Sequence, residues 1–334
     1  MTLLVLLSVT QEALGAPPWP ELAATPPMAW NGWLPATRNL LPGYSNNETM
    51  YYAAADRLVG SGLRDAGYDT IFITCAGWER DNVTHKLREN AVLWPRGYKA
   101  FVEYAHARKL KVAAYGDTGE FNCCRTCVEG RCWKEPGQLG HEELDVQTWA
   151  DLGVDHIAID NCDSPNTTAQ SVFEYRRIRD ALVKVGKPMI YGVWDVGSGK
   201  SWAWAPDVGH YWRTGPDLGT RWGTLESGGN DRTMSIMLNY DLQQAIPSLD
   251  SISGPGSFAL LDNLAVGLPR DVPHPGDPGL TIDEARTHVC YHRLSYNVLL
   301  DKTYCSSPSG ASWPRRSSST STYFLGQAPL IQKL

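Results

Sequence analysis

Beyond its amino terminus the chain of 334 residues has no run of 18 apolar residues, so no membrane anchor is expected there. It has no basic excess. Thirty Lys and Arg stand against 36 Asp and Glu, a net charge of −6. A nucleic-acid binder carries a basic stripe, so nucleic acid is not an expected partner. No Gly-rich phosphate turn follows the first predicted strand, which argues against a doubly wound nucleotide-binding sheet. No HExxH pair and no nucleophilic serine elbow occur. Metal-dependent hydrolysis and serine acyl transfer therefore lack support, and neither a metal nor a cofactor is expected. Phe is scarce, at 6, whereas Trp and Tyr number 13 and 15. Indole and phenol rings join a flat apolar face to a polar edge, which suits a sugar platform as well as a core. With 43% hydrophobic residues the chain is not mostly disordered.

Residues 3–9 (Leu-Leu-Val-Leu-Leu-Ser-Val) are too short to span a bilayer and fit the apolar part of a secretory signal. Ala13-Leu14-Gly15 puts small residues at the positions a signal peptidase reads, so cleavage is expected after Gly15. The expected organisation is a signal peptide over 1–15 and one catalytic barrel over 16–334, with an irregular Ser-rich segment at 306–321. The mature protein is then secreted and free of the membrane. Three glycosylation sequons, at Asn47, Asn82 and Asn166, agree with export.

Eight cysteines occur, and Cys123, Cys124, Cys127 and Cys132 fall in one short stretch. In a reducing compartment such a cluster suggests zinc; in a secreted chain it suggests a disulfide-stapled loop. The signal favours disulfides, and the spacing does not match a paired CxxC finger.

Short β-rich runs at 27–33, 68–75, 111–118, 156–162, 188–194, 210–215 and 251–258 alternate with helical patterns at 48–64, 97–109, 143–152, 168–186, 231–246 and 282–299. Such alternation implies βαβ units and a parallel sheet. Seven strands, with room for an eighth, point to an α/β fold, a (β/α)8 TIM barrel. Chemistry then sits at the carboxyl ends of the strands. Those ends carry Trp33, Thr74 and Cys75, Tyr115 and Asp117, Asp160, Trp194 and Asp195, Arg213 and Asp217, and Asp262. A strand-end Asp is often only a turn or cap residue. As a set, carboxylates among aromatic platforms match the needs of glycoside hydrolysis.

At these residues the sequence resembles the melibiase family of secreted α-galactosidases and α-N-acetylgalactosaminidases, glycoside hydrolase family 27. Thr25-Pro26-Pro27-Met28-Ala29-Trp30-Asn31-Gly32-Trp33 resembles the family's opening strand, and Lys111–Gly119 its third strand with a Tyr-x-Asp end. Ile159-Asp160-Asn161-Cys162 resembles its strand-four motif, Trp212-Arg213-Thr214-Gly215-Pro216-Asp217 its strand-six motif, and Gly254-Pro255-Gly256-Ser257-Phe258 its strand seven. The matches keep their order from about residue 25 to 267.

The resemblance implies a retaining hydrolase of α-galactosides, with a carbohydrate substrate as partner. It implies that Asp160 is the nucleophile and Asp217 the general acid/base, in surroundings that separate their pKa values. Arg213 would hold sugar hydroxyls, Trp33 would stack on the ring, and Tyr115, Trp194 and Asp262 would line the pocket. Cys162 would pair with Cys123 or Cys124. The chain also departs from the family. Thr74-Cys75 stands where an aspartate pair is usual, Ala158 replaces a lysine, and Val193 and Leu260 replace polar positions. Each lost charged hydrogen bond removes roughly 1.5–3 kcal/mol of recognition. The family's β-sandwich is not expected before Leu334. The alternative reading is a non-catalytic or altered-specificity carbohydrate-binding barrel.

Overall fold

The computed structural model describes residues 16–33, 46–162, 167–197, 199–223, 235–266, 268 and 279–295, the last six by backbone alone. The signal segment, Asn166, the Ser-rich segment and the expected eighth strand lie outside the described residues. In chain order the strands are β1 (Ala29–Asn31), β2 (Thr70–Ile73), β3 (Trp78–Arg80), β4 (Leu87–Glu89), β5 (Lys111–Asp117), β6 (Phe121–Val128), β7 (Arg131–Pro136), β8 (His156–Asp160), β9 (Ile190–Val193), β10 (Tyr211–Arg213) and β11 (Phe258–Leu260). Seven of them form one parallel sheet in the order β1-β2-β5-β8-β9-β10-β11. It curls into the wall of a (β/α)8 barrel. The remaining four make two antiparallel hairpins, β3–β4 and β6–β7.

Helices Glu48–Gly60, Tyr98–His106, Glu142–Leu152 and Thr168–Val185 connect successive barrel strands. Their ends follow from local chemistry. The Asn47 side chain accepts from the backbone N–H of Thr49 at 3.1 Å and of Met50 at 3.4 Å. Thr167 caps the Thr168–Val185 helix in the same way, by accepting from Gln170 N. Gly153 and Gly186 end two helices at φ 91° and 76°, a conformation that favours glycine. Among the described residues no helix is long and apolar enough to cross a membrane.

Alternation along the strands separates two apolar layers. Ile71, Ile73, Val112, Ala114, Ile157, Ile159, Tyr191, Val193 and Trp212 face the helices. Phe72, Ala113, Tyr115, Ala158, Ile190, Tyr211, Phe258 and Leu260 fill the barrel interior. A His156–Tyr211 hydrogen bond of 2.8 Å crosses that interior. Burial holds His156 neutral, with its pKa down at about 3.

The expected seventh strand at 251–258 begins only at Phe258. Leu249–Ile252 is a short helix instead, and Gly254-Pro255-Gly256 makes the turn. The cysteine stretch read as a loop is the β6–β7 hairpin. Cysteines hid its period of two, which burial exposes: Asn122, Cys124 and Thr126 are buried, while Cys123, Arg125 and Cys127 are exposed.

Candidate active site

Asp160 ends β8, next to Asp117 at the end of β5; the two are register partners. The two side chains are used differently. Asp117 is fully buried and accepts from the backbone N–H of Gly119 and of Cys162, each at 2.7 Å. It fixes the loop behind Asp160. Asp160 is half-buried and accepts from the Tyr115 hydroxyl at 2.8 Å and the Asn161 N–H at 3.0 Å. Burial pushes its carboxyl up to about 6. The Arg213 guanidinium opposes that rise and the charge of Asp217 adds to it.

Tyr115 is held by aromatic packing. Its ring lies 5.9 Å from that of Trp194, which stacks on Phe72 at 5.2 Å. Trp194 is itself buried, so it backs Tyr115 from the barrel interior.

Across the barrel end, Arg213 closes β10 fully buried. Nη1 donates to Asp217 Oδ1 at 2.7 Å, and Nε lies 3.7 Å from Asp262 Oδ1. Nη2 donates to the carbonyl of Gly215 at 3.1 Å. Asp217 is the open member of this group, with its side chain 48% exposed. Asp262 is buried and accepts from Leu218 N–H at 2.7 Å. Burial raises its carboxyl to about 6, against the pull of Arg213. Trp33 lines a small pocket with Asn31, Leu218, Asp262 and Asn263.

The structure thus gathers Tyr115, Asp160, Arg213, Asp217 and Asp262 at one end of the barrel, where the charges of Asp160, Asp217 and Arg213 act on one another. Two other sequence expectations differ. Val193 faces the helix layer, fully buried, because alternation turns it away from the interior. Asp195 is also fully buried and accepts from Gly199 N–H at 2.9 Å. Asn82 is exposed.

Three disulfides brace the site. Cys123–Cys162 ties the hairpin to the residue two after Asp160, and Cys127–Cys132 closes the hairpin locally. The third, Cys75–Cys124, with a Cα–Cα distance of 5.3 Å, was not foreseen. It occupies the strand-two end, at the Thr74-Cys75 pair that departs from the usual family aspartates. Thr74 beside it donates its hydroxyl to Asn31 Oδ1 at 3.1 Å. A hint lay in the neighbouring Cys123 and Cys124, two thiols that can each take a different partner. Asp117, Cys123, Asp160 and Cys162 hold donor atoms within 4.8 Å of one another, but the two sulfurs are joined and offer no thiolate.

Sequence reasoning also missed Glu135. This carboxylate is fully buried and accepts from Gly77 N–H at 2.7 Å and from the Thr126 hydroxyl at 2.5 Å. Burial pushes it up to about 7.

Residues 25–290 match a melibiase family profile described as alpha galactosidase A. The chain is 33% identical over 269 residues to alpha-galactosidase A of Cellvibrio japonicus, covering 80% of this chain and 59% of that one. It is 34% identical over 280 residues to alpha-galactosidase 2 of Arabidopsis thaliana, covering 84% and 61%. Among solved structures it is similar to the Saccharomyces cerevisiae alpha-galactosidase with raffinose, at 25% identity and a TM-score of 0.68, covering 82% and 57%. The chain therefore spans about three-fifths of the length of the curated relatives it matches.

Proposed function

The chain belongs to the melibiase family, and from that premise we propose that it is a secreted retaining glycosidase acting on terminal α-galactosides. The observation that carries this reading is the pair of differently housed carboxylates. Asp160 is half-buried under the Tyr115 hydroxyl, and Asp217 stands open to solvent on the Arg213 guanidinium.

In the first step the Asp160 carboxylate attacks the anomeric carbon. The bond to the leaving oxygen breaks, and protonated Asp217 gives that oxygen its proton. An ester links the sugar to Asp160. In the second step Asp217, now a carboxylate, takes a proton from water. The water oxygen bonds to the anomeric carbon, and Asp160 leaves as a carboxylate. Tyr115 holds Asp160 in line. Arg213 holds Asp217 and offsets the crowd of negative charge. Trp33 offers an apolar face to the sugar, and Asp262 accepts hydrogen bonds from hydroxyls beside it.

The pocket departs from a galactose site at strand two, where the Cys75–Cys124 disulfide supplies no hydrogen-bond acceptor of carboxylate strength. This favours weaker recognition of galactose within the same reaction. Secretion rests on the apolar segment at residues 3–9 and on the three disulfides, which belong to an oxidising compartment.

A screen of nitrophenyl glycosides tests the reading. Turnover of the α-galactoside should exceed that of other α- and β-hexosides. It should vanish in Asp160→Asn and persist weakly in Asp217→Asn, because nitrophenolate leaves without a proton. Binding without turnover of any glycoside would instead establish a carbohydrate-binding barrel.

A further inference from the structure

We propose that the outer face of the β6–β7 hairpin is a cationic subsite for an acidic leaving-group sugar, one bearing a carboxylate or a sulfate ester. It rests on the assignment of Asp160 and Asp217 above. Cys123, Arg125 and Cys127 share the exposed face of β6. That face starts at the reacting centre, since Cys123 Sγ lies 3.8 Å from Asp160 Oδ2. Arg125 follows two residues along on the same exposed face, where the pairing resumes after an irregularity between Phe121 and Arg125. Lys134 stands directly opposite Arg125 in the register, and Cys127 opposite Cys132 on the next rung.

Like charges facing each other across a strand pair destabilise it. No ion pair among the described residues offsets this pair. Arg131, on the other face of the hairpin, is matched to Glu79 at 3.3 Å. The acidic neighbours Glu120 and Glu129 sit at the two ends of β6, outside the rung that carries the cations. Lys134 Nζ also lies 5.5 Å from the centre of the Phe121 ring, so an aromatic face adjoins the charges. Charge and aromatic face together fit an acidic sugar: the fork of Arg125 takes two anionic oxygens and the ring takes an apolar sugar face. The hairpin is pinned by Cys123–Cys162, Cys124–Cys75 and Cys127–Cys132, so the cations are presented on a rigid support.

The test uses three disaccharides with α-galactose at the non-reducing end, whose second sugar is neutral, a uronate or a sulfate ester. At low salt kcat/KM on an acidic substrate should exceed that on the neutral one by about fivefold, the scale of one or two exposed ion pairs. Arg125→Ala/Lys134→Ala should remove the preference and leave the neutral substrate within about twofold; raised salt should do the same by screening. The larger of the two acidic ratios identifies carboxylate or sulfate as the preferred group. No preference, or one that survives the double substitution, overturns the subsite. Calorimetric binding of the same disaccharides to the Asp160→Asn chain separates the two readings. Acidic sugars that bind more tightly only while Arg125 and Lys134 are present uphold the subsite even without turnover, and equal binding of all three refutes it.

Discussion

Replacing Tyr115 with Phe isolates one contact of the proposed nucleophile. The ring would keep its packing against Trp194 at 5.9 Å, and only the hydroxyl that donates to Asp160 Oδ2 at 2.8 Å would go. A hydrogen bond to a charged acceptor contributes roughly 1.5–3 kcal/mol, so kcat/KM at neutral pH should fall about ten- to a hundredfold. The substitution also has a signature in pH. A donor to the carboxylate favours its ionised form, and removing it raises the Asp160 pKa. In the native chain burial sets that carboxyl at about 6, so the proposed activity should be lost as pH falls through about 6. In Tyr115→Phe the acidic limb of kcat/KM should move upward by about one pH unit, one unit corresponding to roughly 1.4 kcal/mol. A pH–rate profile on the α-galactoside reads both quantities, with circular dichroism checking the fold. An unmoved acidic limb with undiminished activity would refute the role of this contact and the assignment of the limb to Asp160.

Three further outcomes follow from other parts of the structure. Glu135→Gln should flatten the pH dependence of stability. The native carboxyl, raised to about 7 by burial, stabilises most at low pH and loses that contribution as pH rises through about 7. By pH 8 the variant should gain on the native chain by on the order of 3 kcal/mol relative to pH 4, read by denaturant titration. Replacing both Cys75 and Cys124 with Ser opens a closure of 49 residues and, by the chain entropy released, should cost about 4 kcal/mol, seen as a lower Tm. An α-D-galactoside and the L-arabinopyranoside with the same ring but no sixth-carbon hydroxymethyl should differ by less than about tenfold in kcat/KM, ~1.4 kcal/mol. A much larger galactose preference would mean that other groups replace the missing strand-two carboxylates.

The barrel was legible because its strands and helices carry distinct periods. The runs at 111–118, 156–162 and 210–215 became β5, β8 and β10, each only one to three residues shorter than read. Strand seven was misplaced because it was drawn across the Gly254-Pro255-Gly256 turn, whereas the strand starts only after that turn, at Phe258. The hairpin was hidden because its alternating buried and exposed positions include cysteines on both faces. Asp160, Asp217 and Arg213, which lie together at one barrel end, belong to ordered motifs, each at a strand end or just after one. The Cys75–Cys124 bridge joins positions 49 apart and leaves no local pattern. Val193 illustrates the opposite error. A one-residue judgement of register turns a side chain from the pocket to the helix layer. Glu135 is a lone carboxylate in a polar stretch, and only the folded hairpin reveals that it is buried.

The most direct test of the account is the site of the covalent intermediate. An α-galactosyl fluorosugar with a good leaving group forms the ester quickly and hydrolyses slowly, so the labelled enzyme can be digested and its peptides sequenced by mass spectrometry. The account predicts one sugar per chain, on the Asp160 carboxylate within Ile159-Asp160-Asn161-Cys162, and no labelling of Asp160→Asn. A label on Asp217, Asp262 or any other residue, or turnover with no covalent species and inverted product, would contradict it.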